Sequence, residues 1–225
     1  MPIIPPMENT DDLRAIETEG QRIIDLGRSA PEAIVPQYPS WTLRDLVMHV
    51  AEVHARTTEI CRTYPQERVR GPQVPADRDV FDWAEGVLAE MVEALRTADL
   101  DTEVWTFVPD KRLAMWERRM VIETGVHRWD AEGANGDPEP LSILVAKHGL
   151  DEFEAQYLPR LGDVPAIELV DPELDRVWRY GEGVPVAILE GAASDHYLRL
   201  MSRPGTPLPP TWEEAVDSLG SPAER

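Results

Sequence analysis

The segment 117–132, Glu-Arg-Arg-Met-Val-Ile-Glu-Thr-Gly-Val-His-Arg-Trp-Asp-Ala-Glu, constrains the fold more than any other part of the chain. At helical spacing Trp116, Met120, Glu123, His127, Ala131 and Ala134 share one stripe, apolar at its ends and polar in its middle. A carboxylate on a core-facing stripe is costly unless something pairs with it. Glu123 and His127 are four apart, so one helical face presents both to the same point. Three readings stay open on spacing alone. One is a buried Glu–His hydrogen bond, and another is a solvated face in a different helical phase. The third is two thirds of a three-ligand metal site, which needs a third ligand from elsewhere in the chain.

Composition narrows the class. The chain has 225 residues, 42% of them hydrophobic, which suits one large domain or a domain with a small appendage. Its net charge of −20 repels phosphate backbones and anionic lipid, so neither nucleic acid nor a membrane surface is an expected partner. Lysine occurs only at 111 and 147, an arginine bias that hints at a GC-rich, actinobacterium-like source. Cys61 is the only cysteine, which excludes a disulfide framework or a thiolate metal cluster within one chain and suggests a reducing compartment. The opening Met-Pro-Ile-Ile-Pro-Pro does not read as a secretory signal, and no apolar run reaches membrane-spanning length. A soluble cytoplasmic protein is expected.

Along the chain, residues 8–28 read as a first helix, followed by prolines at 31, 36 and 39. Thr42 with Asp45 three residues on forms a capping box for a second helix running to about Thr63, with Trp41 and Leu46 as a hydrophobic staple. His49 falls on the apolar face of this helix. His54 lies about 140° further round, too far to share a small site with it. A third helix is expected over 79–99, a fourth over 111–134 and a fifth over 140–161. Trp105 and Phe107, in the connector before the fourth helix, either pack or line a pocket. After residue 163 the texture changes, with strand-like runs at 166–170, 176–180 and 184–190, then a helix over 192–201 and a Pro-rich turn at 204–210. The expected organisation is a helical domain over 1–162 and a small α/β domain over 163–225.

Three segments in order, Trp41-Thr-Leu-Arg-Asp-Leu-Val-Met-His49-Val, Trp105-Thr-Phe and Glu123-Thr-Gly-Val-His127-Arg-Trp-Asp130, resemble the mycothiol-dependent maleylpyruvate isomerase family. Leu198-Arg-Leu-Met-Ser-Arg203 resembles the end of that family's C-terminal domain, although Met201-Ser202-Arg203 departs from its usual Trp-Gly-Arg-like ending. The resemblance implies an α+β protein: an N-terminal DinB-like, up-and-down four-helix bundle plus a small C-terminal α/β domain. It implies a metal, usually zinc, held by His49, Glu123 and His127, mycothiol as thiol co-substrate, and a functional Arg203 at the end of the C-terminal helix. Asp130, one turn beyond His127, either orients it or forms a surface ion pair.

His₂Glu suits Zn2+, and also Ni2+, Fe2+ or Mn2+, and leaves an open position of the catalytic kind. Cys61, three turns beyond His49, is too far along the helix to reach that position, so the thiol is expected from outside. The expected chemistry is attack of the activated thiol on an electrophilic small molecule, with S-transfer preferred and cis–trans isomerisation as the alternative. A metal-dependent hydrolase and a non-catalytic metal- or ligand-binding protein remain further readings.

Overall fold

A computed structural model describes residues 9–219; the amino-terminal Met-Pro-Ile-Ile-Pro-Pro lies outside the described residues. The chain divides into two compact units, Met1–Glu139 and Pro140–Arg225.

The first unit is a four-helix bundle of α1 (Asn9–Ser29), α2 (Leu43–Thr63), α3 (Val80–Thr97) and α4 (Ala114–Gly133), with a short antiparallel pair, β1 (Ile34–Val35) and β2 (Tyr38–Thr42), between α1 and α2. The most extensive packing is of α2 on α3 and of α1 on α4. The start of α2 follows local chemistry. Thr42 Oγ1 accepts from the Asp45 amide at 3.3 Å, and Asp45 Oδ2 accepts from the Thr42 amide at 2.8 Å, which satisfies two otherwise orphaned donors. Asp79 caps α3 by accepting from the amides of Phe81 and Asp82. The aromatic connector before α4 packs rather than opens. Trp105 and Phe107 lie 5.6 and 5.4 Å from the Trp116 ring, and Trp116 Nε1 donates to the Trp105 carbonyl at 2.8 Å.

α4 differs from its neighbours in being buried nearly all round. From Met120 to Arg128 every residue is buried, polar ones included. A helix enclosed on every side needs partners for its polar groups. Arg128 has them in Glu19 and Glu132, both at 2.7 Å.

The second unit contains α5 (Ile143–Gln156), a 3₁₀ turn (Leu158–Arg160), the sheet β4–β3–β5 and two helices. Its central strand β3 (Ile167–Asp171) pairs antiparallel with β4 (Arg176–Tyr180) and parallel with β5 (Ala187–Glu190). The helices are α6 (Ala193–Leu200) and α7 (Pro210–Ser218). Sequence texture alone divides the chain after residue 162, but the helix expected over 140–161 is α5 and belongs to the second unit. Its packing explains this. Tyr180 Oη donates to the Leu150 carbonyl at 2.7 Å and Trp178 Nε1 to Asp151 at 2.8 Å. A Cβ at Gly149 would lie 2.3 Å from the Tyr197 ring, so only glycine lets α5 approach α6 this closely. α7 follows the proline-rich turn, which masks it in the sequence; Pro210 suits a first helical position, and buried Trp212 donates to the Pro165 carbonyl at 2.8 Å. No helix among the described residues is long and apolar enough to cross a membrane.

Candidate metal centre

α2 and α4 bring His49, Glu123 and His127 to one point. One ligand atom from each lies within 4.8 Å of the other two. His49 Nε2 is 3.2 Å and His127 Nε2 3.4 Å from the same oxygen, Glu123 Oε1. A tetrahedral ion with bonds of about 2.1 Å spaces its ligand atoms about 3.4 Å apart. The observed separations fit that spacing and also allow a hydrogen bond from His49 to the carboxylate.

The surrounding groups hold the three side chains. His127 Nδ1 lies 3.0 Å from Asp130 Oδ2, which turns Nε2 toward Glu123. Of the two sequence readings for Asp130, the orienting one therefore describes its position: its side chain is buried, not on the surface. Arg119, one helical turn before Glu123, pairs with Glu123 Oε2 and leaves Oε1 to the histidines. Trp41 packs 5.1 Å from the His49 ring and Tyr38 6.0 Å from the His127 ring, so β2 walls the site with aromatic surface. The two histidine rings meet edge to face at 5.1 Å.

Electrostatics follows from this packing. Burial by itself raises the pKa of Glu123. The Arg119 charge and the bonds from His127 and His49 outweigh it and hold the carboxyl well below its usual range. Burial likewise works against the His127 cation, but hydrogen bonds to Asp130 and Glu123, together with their charges, push it up to about 9. Without an ion the cluster is thus a neutralised network. A divalent ion held by His49, Glu123 and His127 would take the place of the His127 proton and supply the positive charge beside Glu123. The donor set, two imidazoles and one carboxylate kept ionised, fits such an ion.

Other candidates fall elsewhere. His54 bonds Thr124 Oγ1 at 3.0 Å, and burial lowers its pKa to about 4, so it is neutral and outside the cluster. Cys61 is buried, and its thiol is pushed up to about 12, first by burial and then by the Glu117 charge, so it is a poor nucleophile. Arg203 belongs to the second unit, just beyond α6, where its Nη1 donates to the Met201 carbonyl at 2.8 Å. Sequence reasoning overlooked Arg119, although its spacing of four from Glu123 is a legible signal. In the sequence Trp41 reads as a staple, and its packing on His49 carries no sequence signal.

Comparison with known proteins gives the fold and the family. No curated protein matches the chain in sequence. The crystal structure of the mycothiol-dependent maleylpyruvate isomerase aligns with a TM-score of 0.68 at 12% identity, covering 93% of this chain and 98% of that one. The crystal structure of a histidine-to-alanine mutant of that enzyme aligns at 0.69 with the same identity and coverage. At such identity the likeness establishes the fold, the DinB-like bundle with its C-terminal domain. The profile of the mycothiol maleylpyruvate isomerase N-terminal domain matches residues 13–132, more than half of the chain, and the protein therefore belongs to that family.

Proposed function

We propose that the protein is a metal-dependent enzyme in which His49, Glu123 and His127 hold a divalent ion, Zn2+ by ligand preference, and an external thiol is activated to attack an electrophilic small molecule. The observation that carries this reading is the shared 3.2 and 3.4 Å spacing of two imidazole nitrogens about one carboxylate oxygen, in a family named for a mycothiol-dependent enzyme. When bound, a divalent ion supplies the positive charge that keeps a thiol deprotonated at neutral pH.

The protein's own groups do the rest. Arg119 keeps Glu123 ionised, and Asp130 keeps the His127 ring in one orientation. The Trp41 and Tyr38 rings limit water around the two histidines. Resemblance to the family supports Arg203 as the residue that binds substrate or thiol, because its planar fork suits a carboxylate or a developing enolate-like oxygen.

Both matched crystal structures are of an isomerase, which favours thiol addition, rotation and release over retained S-transfer. The test supplies mycothiol and maleylpyruvate to zinc-loaded protein and follows both thiol and alkene. Isomerisation returns the thiol and changes only the alkene geometry. S-transfer consumes one thiol per product. Hydrolysis that proceeds without thiol, or protein that binds no ion at micromolar zinc, overturns the proposal.

A further inference from the structure

Next to His49 the first unit has a cavity of 790 Å³, within the range that holds small ligands. Its lining includes Glu52, Arg56, Arg68, Arg70 and Gly71, and Glu52 is the one acid among the lining residues. Three arginines around one cavity stand out in a chain of net charge −20. Many arginines elsewhere are neutralised by neighbours, among them Arg28 by Asp82 and Glu85, Arg62 by Glu90, and Arg128 by Glu19 and Glu132. Arg56, Arg68 and Arg70 form no ion pair among the described residues.

Arg56 is the most constrained of the three. It lies two helical turns beyond His49 on the same face of α2, with its guanidinium carbon 5.7 Å from the Trp116 ring centre. Its Nε is buried with no hydrogen-bond partner among the described residues. Burial disfavours its charge, as do the nearby Arg68 and Arg119 cations, against the single opposing pull of Glu123. The segment carrying Arg68 and Arg70 is held against α2 by a close backbone approach. A Cβ at Gly71 would lie 2.6 Å from Arg56 Cβ and 2.9 Å from the Glu52 carbonyl oxygen. Only glycine allows the segment to run there and bring both arginines to the cavity.

We propose that this cavity is the subsite for a carboxylate group of the electrophilic substrate, with Arg56 as its fixed donor and Arg68 and Arg70 completing it. The inference rests on the proposed function only in taking the ligand to be that enzyme's substrate. A carboxylate accepts two parallel N–H bonds from a guanidinium, and a carboxyl group conjugated to an alkene is also what makes the alkene open to thiolate addition. Three cations reverse locally the repulsion that the rest of the surface exerts on an anion.

The test is calorimetric titration with maleate and with its neutral diester, dimethyl maleate, on protein as purified and again after chelation. Arg68→Gln/Arg70→Gln is the first variant, because both residues are exposed. Arg56→Lys is the second and removes the planar fork but keeps the charge. Maleate is expected to saturate one site at least about tenfold more tightly than the diester, and each variant to weaken maleate at least about tenfold, with diester binding and zinc content unchanged. The difference is expected to survive chelation. Equal affinity for acid and ester, absence of maleate binding to the unmodified protein, unchanged affinity in both variants, or a preference that vanishes with the metal overturns the subsite. Arginine-dependent maleate binding in a protein that holds no zinc and turns over no thiol defeats the proposed function and leaves the subsite standing. Normal zinc and thiol turnover with variants that bind maleate as the unmodified protein does defeats the subsite alone.

Discussion

α3 and α4 are helices of similar length in the same bundle, 18 and 20 residues, yet α3 buries only apolar side chains while α4 buries charged and polar ones among its apolar ones. The buried residues of α3 are all apolar: Val80, Phe81, Trp83, Ala84, Val87, Leu88, Met91, Val92 and Leu95. Those of α4 include Glu117, Glu123, Thr124, His127, Arg128 and Asp130. An apolar stripe gains stability from every group it withdraws from water. A buried charge loses by the same withdrawal and is tolerated only where partners are fixed beforehand. α3 therefore contributes stability along its whole buried face, whereas on α4 the cost of burying charged groups offsets part of the apolar gain. Substitutions on the two helices should separate along that line.

The largest effect is expected from Glu123→Gln. It keeps the side-chain shape but removes the ionised oxygen that both histidines face. Thiol-dependent turnover should fall by roughly a thousandfold or more and zinc, measured by mass spectrometry of the purified protein, should drop from about one ion per chain to near none. A variant that keeps stoichiometric zinc breaks the assignment of α4 as the site helix. Met91→Ala, at a fully buried position on α3, should do the reverse. Chemical denaturation should show a loss of about 2–5 kcal/mol, with zinc stoichiometry in the remaining folded protein unchanged.

Asp130→Asn tests whether α4's supporting charges act through the ligand. It should weaken zinc binding about 10–100-fold in competition with a chelator, with a smaller effect on unfolding. Glu117 sharpens the contrast from within α4, because it is a buried carboxyl outside the triad whose Oε1 has no hydrogen-bond partner among the described residues. Burial, and then the charge of Asp12, push its pKa up to about 7 from 4.5. A carboxyl that holds its proton more tightly when folded costs stability as pH rises from about 4.5 to about 7. Below that window the cost is absent, and above it the cost is constant. Glu117→Gln should therefore stabilise the protein by about 2 kcal/mol at pH 8, allowing for solvent screening, and by nothing at pH 4. Urea midpoints at the two pH values give the answer, and a gain that is the same at both removes Glu117 as the cause. The smallest effect belongs to α3's cap: Asp79→Ala loses two accepted amide bonds and should cost about 1 kcal/mol, seen as a lower thermal midpoint with zinc unchanged.

What could be read from sequence was whatever depends on neighbours along the chain. The Thr42–Asp45 capping box is a contact between residues three apart, and the Glu123–His127 pair is one between residues four apart. Both follow from the helical repeat alone. The strands near 167–171 and 176–180 were legible for the same reason, since alternation needs only one strand. His49 stands out in the sequence as a histidine on an apolar helix face, and its role as third ligand is what the resemblance implies.

Contacts between distant segments were decided only by the tertiary structure. α5 reads as one more bundle helix because a stripe records that a face is buried and says nothing of what buries it. The clasp by Tyr180, Trp178 and Tyr197 assigns it to the second unit. The helix after the prolines at 204–210 was hidden because turn residues dominate its approach, and it is the burial of Trp212 that fixes it. Arg56, Arg68 and Arg70 look like ordinary solvated charges in the sequence. They become a cluster only where the chain at Gly71 passes against α2, a proximity that no local pattern encodes.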